Sequence, residues 1–174
     1  MKLSDLINRS SFILGEDFGA EAIIFYNEFI NFLCNKKPEY ASKINSVEFE
    51  CNNIKDDKYF IPESTLFVTG IYKDGNSSDF KCVDNVISFL EKGTYTIKYT
   101  IYPKLANYID ATLNHNPDFD DCITYYLCYK KAVSEQYPQN LCNIYYSSFN
   151  DLFNSACKNV SKVKQNYIPC DSFL

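Results

Sequence analysis

Between Gly19 and Lys36 the stretch GAEAIIFYNEFINFLCNK repeats its apolar residues at helical spacing. At about 100° per residue, Ile23, Phe25, Tyr26, Phe29, Ile30, Phe32 and Leu33 cover one broad side, and Glu21, Asn27, Glu28 and Asn31 the other. The pattern predicts a helix over 18–36, ended by Lys36-Lys37-Pro38, with a further turn over 40–44. Ahead of it lies a short segment in which Ser4 is placed to cap a turn carrying Leu6 and Ile7.

From Ser46 the apolar period shortens from about 3.6 residues to about 2, the spacing of a strand. Val47, Phe49 and Cys51 alternate with Ser46, Glu48 and Glu50. Tyr95, Ile97, Tyr99 and Ile101 alternate with Thr94, Thr96, Lys98 and Thr100, which suits an antiparallel sheet with one wet face. STLFVTGIY reads as a more central strand, and KDGNSSD, with its Asp74-Gly75, as a hairpin loop into DFKCV. Residues 85–92, closed by Gly93, read as a short helix.

Beyond Lys104 the spacing is helical again. KLANYIDATL is expected as one helix, NHNPDFD as a loop, and DDCITYYLCYKKAVSEQ as a second helix broken at Pro138. There Cys122, Tyr125, Tyr126, Tyr129 and Val133 form the expected core stripe, with Cys128 at its edge and Lys130 and Lys131 towards solvent. In the last helix Leu141, Tyr145, Phe149, Leu152, Ala156, Val160 and Val163 line one face. The order predicts a single α+β domain over 1–174. It has an N-terminal helix, an antiparallel sheet of about four strands over 46–102, C-terminal helices over 104–164 packed on that sheet, and a tail over 165–174.

Composition narrows the chemistry. The chain is 46% hydrophobic and 17% aromatic, enough for one ordinary core without cross-links. Arg9 is the sole arginine, and the Lys, Asn, Ile and Tyr bias points to AT-rich coding. The formal charge of −5 divides into −3 over 1–60, −4 over 61–121 and +2 over 122–174. Such a balance disfavours nucleic acid, which binds clustered Lys and Arg, and favours a protein partner with a basic surface. No apolar stretch of a signal peptide opens the chain, and nowhere do about 18 apolar residues run together. The expectation is a cytoplasmic protein that does not enter a membrane.

The eight cysteines contain no C-x-x-C. Cys122 and Cys128 stand about 120° apart on a helix and cannot share a metal, so most cysteines are expected as buried reduced thiols. The sequons at Asn8, Asn76 and Asn159 and the even cysteine count leave a secreted, disulfide-stabilised protein as an alternative. His115, the one imidazole, sits in a turn-like NHNP context that argues against a Ser–His or Cys–His nucleophile. Asp118, Asp120 and Asp121 precede a helix and read as caps. The loop 74–79 lacks the spacing of a calcium loop, and no phosphate-binding glycine loop is present.

No catalytic, cofactor or metal residues are therefore nominated. The partner-binding candidates are Lys130, Lys131, Lys158 and Lys162, together with Ser172-Phe173-Leu174, whose Ser-x-apolar order fits a groove that captures carboxyl termini. The first expectation is a non-enzymatic interaction protein, of the kind found among viral or mobile-element inhibitors and accessory proteins or among peripheral subunits, with homo-oligomers allowed. The exposed side of the sheet or of the last two helices is the expected contact surface. An enzyme using Asp118, Asp121, Tyr126 and Lys130 around a pocket is a further alternative.

Overall fold

A computed structural model describes residues 1–161. Four α-helices flank seven strands in the order α1 (Leu3–Leu14), α2 (Glu21–Lys36), β1 (Asn45–Cys51), β2 (Lys58–Phe60), β3 (Thr65–Lys73), β4 (Asn76–Ser77), β5 (Phe80–Val83), β6 (Val86–Phe89), β7 (Gly93–Ile101), α3 (Asp120–Ser134) and α4 (Gln139–Ser161). The fold is α+β, with N-terminal helices, antiparallel sheets and C-terminal helices.

The segment expected to hold one capped turn is a full helix. In α1 the Asp5 carboxylate accepts the Lys2 N–H at 2.8 Å, and Gly15 ends the helix in the left-handed region at φ 79°. Leu3, Leu6, Ile7 and Ser10 are buried. Ser10 is small enough for α1 to approach α3: its Oγ lies 2.9 Å from Leu6 O and 3.1 Å from Thr124 O. α2 buries Phe25, Tyr26, Phe29, Ile30 and Leu33 as its spacing requires.

One sheet has the order β1-β7-β3-β4 and a second the order β2-β6-β5, antiparallel throughout. The expected four-stranded sheet is present; the second sheet closes one of its faces, and Leu66 of β3 packs against the helical core. Phe89 stacks on Tyr95 at 4.2 Å and on Phe49 at 5.2 Å, and Cys51, Val68, Ile71, Ile87 and Ile97 complete that core. The helices keep a separate core in which Phe29, Phe32, Phe119, Tyr126, Phe149 and Phe153 meet ring to ring.

Two expected helices are absent. Residues 86–89 form β6, because Asp84 and Asn85 both take positive φ, 49° and 60°, and make the two-residue turn that joins antiparallel strands. Val-Ile-Ser-Phe, with two β-branched residues and an aromatic, suits a strand better than a helix. Residues 104–113 form an irregular strap. Asn27 accepts the Ala106 N–H at 2.8 Å and donates to the Ala106 carbonyl at 3.0 Å, Tyr102 donates to Asn31, Leu3 N–H binds Ala111 O, and Leu113 N–H binds Met1 O. These bonds satisfy the backbone from outside, so the segment needs no helix of its own even though it carries the helix formers Leu105, Ala106, Ala111 and Leu113.

The seven described cysteines are unpaired with one another, and Cys34, Cys51, Cys122, Cys128 and Cys142 are buried. Burial raises the Cys34 thiol to about 11 and the Cys128 thiol to about 12, from an ordinary value near 9. The unfolded chain ionises these thiols near 9 while the folded chain retains their protons, so folding is disfavoured as pH rises. Unfolding free energies from urea titrations in reductant are expected to fall above pH 9, by up to about 1.4 kcal/mol per pH unit for each of the two thiols. Replacing both by alanine should flatten that slope; an unchanged slope would show the two thiols are not its source.

Candidate functional site

α3 presents a different face to the core from the one expected. Cys122, Ile123, Thr124, Leu127, Cys128, Lys131 and Ala132 are buried, Tyr125, Tyr126 and Tyr129 are half-buried, and Val133 is exposed. The helix is enclosed by α1, α2 and α4 together, so its buried arc is wider than one stripe. This corrects the solvent position expected for Lys131, whose side chain is 11% exposed. Its Nζ binds Glu135 Oε1 at 2.9 Å and Glu21 Oε1 at 3.0 Å. Both hydrogen bonds, that to Glu135 foremost, hold the ammonium above its ordinary pKa. Glu21 is held below the carboxylate range by the Gly19 N–H first and by Lys131 after it, partly offset by desolvation.

Lys130 lies 2.7 Å from Glu28 Oε2 and 5.6 Å from the Phe25 ring centroid. Two of the four nominated lysines thus tie α3 to α2. Lys158 is exposed on α4, whereas Lys162, Ser172, Phe173 and Leu174 lie outside the described residues.

His115 occupies the setting that the sequence least revealed. Its side chain is 2% exposed, Nδ1 lies 3.0 Å from the Tyr26 hydroxyl, and Nε2 lies 2.8 Å from Asp120 Oδ1. The bonds close when Tyr26 donates to Nδ1 and Nε2–H donates to the carboxylate. Burial foremost, then the Asp120 charge, raises the Tyr26 hydroxyl far above its ordinary pKa. This arrangement joins α2, the strap and α3 through a saturated imidazole. A neighbouring cavity of about 310 Å³, lined in part by Ser42, Asn45, Asn114 and His115, meets a ring whose two nitrogens are already engaged.

Asp118, Asp121, Tyr126 and Lys130 do not converge. Asp121 lies 3.7 Å from Arg9, Lys130 is on Glu28, and Tyr126 packs edge-on to Phe29 and Phe149. Among the described residues no group of three His, Cys, Asp or Glu side chains is arranged to hold a metal, and no helix is long and apolar enough to cross a membrane.

A groove runs along α1 against α3 and α4. Its volume is about 620 Å³, and Arg9, Phe12, Ile13, Thr124, Tyr125 and Leu152 line it. Phe12 is 90% exposed. Its other side borders a hollow that contains Gly15, Glu16 and Asp17. An apolar groove with an aromatic rim and a carboxylate margin can take an apolar side chain flanked by cations. Sequence reading missed it because Phe12 and Ile13 belong to the helix that was expected to be a single turn.

Replacing Lys131 with methionine leaves two facing carboxylates and should cost about 1–3 kcal/mol. A double-mutant cycle with Glu21→Gln is expected to show coupling of about 0.5–2 kcal/mol, against near-additivity if the pair is unimportant. His115→Ala should cost about 2–4 kcal/mol by emptying a packed site and stranding the Tyr26 hydroxyl. A loss below about 0.5 kcal/mol in urea unfolding would contradict the network's role. No protein-family model matches the chain, and no curated protein is significantly similar to it.

Proposed function

We propose that the protein is a non-enzymatic interaction domain that binds a protein partner at the groove between α1, α3 and α4. The observation that carries this reading is Phe12. It stands 90% exposed near the C-terminal end of a helix whose other face is buried, between an apolar groove and the Glu16–Asp17 hollow. Burying such a ring against a partner gains about 1.5–3 kcal/mol, the size of an interface anchor. The carboxylates of Glu16 and Asp17 favour a partner with basic residues beside an apolar side chain, in line with the acidic balance of the chain. Arg9 is already drawn to Asp121 at 3.7 Å, which leaves the hollow's margin negative.

The role fits an inhibitor, an accessory protein or a peripheral subunit, each of which acts by covering a surface. Binding assays should compare the unaltered chain with Phe12→Ser and with Glu16→Lys/Asp17→Lys in affinity capture from cells of the source or its host. A partner retained by the unaltered chain is expected to be lost at least about tenfold in both variants, with both shown to be folded by thermal denaturation. Identical capture by all three proteins would remove the groove from consideration.

A further inference from the structure

The outer face of the three-stranded sheet carries a second pattern. In β6 Ile87 and Phe89 are buried while Val86 and Ser88, two residues apart, face outward. The register places Val86 between Phe60 of β2 and Val83 of β5, and Ser88 between Lys58 and Lys81. Phe60 is 72% exposed and Val83 64%. An apolar row, Phe60–Val86–Val83, therefore lies beside a row Lys58–Ser88–Lys81. Strand spacing makes each row about 10 Å across, with about 7 Å between rows.

The wet face of a small antiparallel sheet is ordinarily polar. Lysines on edge strands also discourage edge-to-edge pairing, but that role requires no apolar row alongside. Neither Lys58 nor Lys81 has an ion-pair partner among the described residues. The acids nearest in sequence, Asp56, Asp57, Asp79 and Asp84, form no ion pair with them among the described residues. Asp57 turns into its own loop, accepting the Asn52 and Asn53 N–H groups at 2.7 Å, and Asp84 stands at the hairpin tip beside Val83. On a chain of net charge −5, the register sets two ammonium groups without ion-pair partners on either side of one serine.

We propose that this face docks an acidic segment of a protein partner, with a partner carboxylate seated over Ser88 between Lys58 and Lys81 and an adjacent apolar side chain on Phe60, Val86 and Val83. Screening over about 8–10 Å mutes the chain's distant acids and leaves Asp57, Asp79 and Asp84, the acids beside the lysines in sequence, as the opposing charges. A phospholipid surface would gain only about 1 kcal/mol per lysine, and nucleic acid needs a longer basic track, so neither fits as well as a carboxylate-bearing peptide. The charge preference is opposite to that of the Phe12 groove, so the two faces do not compete for the same segment.

The test is titration of the isotopically labelled chain with a peptide of about a dozen residues carrying Leu and Phe beside Glu, followed by amide chemical shifts. Counterpart peptides replace Glu by Lys or the apolar residues by Ser, and phosphatidylserine vesicles form a separate arm. Binding that perturbs residues 58–60, 81–83 and 86–88 is expected. It should weaken at least about tenfold in Lys58→Glu/Lys81→Glu and in Phe60→Ser, and with either counterpart peptide. It should be unchanged in Phe12→Ser, which separates this face from the groove. Lys58→Ala/Lys81→Ala provides the charge test should Phe60→Ser fail to fold. No binding at millimolar peptide, shifts mapping elsewhere, insensitivity to the lysine changes, or tighter binding to vesicles than to peptide would each overturn the proposal.

Discussion

The imidazole of His115 holds the helical half together where no regular element could. It accepts the Tyr26 hydroxyl from α2 on one nitrogen and donates the N–H of the other to the Asp120 carboxylate at the start of α3. Residues 102–116 can then cross the surface without a helix or strand of their own, their polar backbone answered by Asn27, α1 and the Ala41 carbonyl. A buried polar chain of this kind is stabilising only when each member is satisfied. With both ring nitrogens engaged, that condition is met at His115.

Around that tie the molecule is organised as two cores. Ring-to-ring packing fills the helical one, and two facing sheets enclose the other. They meet near the turn Pro38–Tyr40, where Thr100 donates to the Pro38 carbonyl and Ser42 Oγ accepts the Ile101 N–H. Polar bonds at that junction set direction, while the apolar contacts within each core supply most of the attraction. Both proposed surfaces lie outside the junction, the groove on the helical core and the lysine row on the sheet core.

Legibility in the sequence followed the strength of local pattern. α2 and the strands β1, β3 and β7 could be read because their spacing alone separates a buried from an exposed side. The strap could not, because its conformation is dictated by side chains far away in sequence, such as Asn27 and Asn31. β6 was misread because its turn uses Asp-Asn and not a glycine pair, leaving Gly93 as the more visible punctuation. At the candidate sites the aromatic and lysine residues were visible but their pairing was not. Lys131 sits between carboxylates contributed by two helices, and Lys58 meets Lys81 only through the register of a sheet whose central strand was expected as a helix.

The distribution of cysteines has a consequence for the life of the molecule. One or two thiols lie in most of the larger elements, five of the seven described ones are buried, and the unfolded chain carries all eight. Folding hides the five buried sulfurs from oxidants by geometry alone. Once the chain opens in oxidising surroundings, thiols far apart in the folded form can couple, and each such coupling blocks the return path. Unfolding there acts as a ratchet, and the lifetime of the active form is set by how seldom the chain opens.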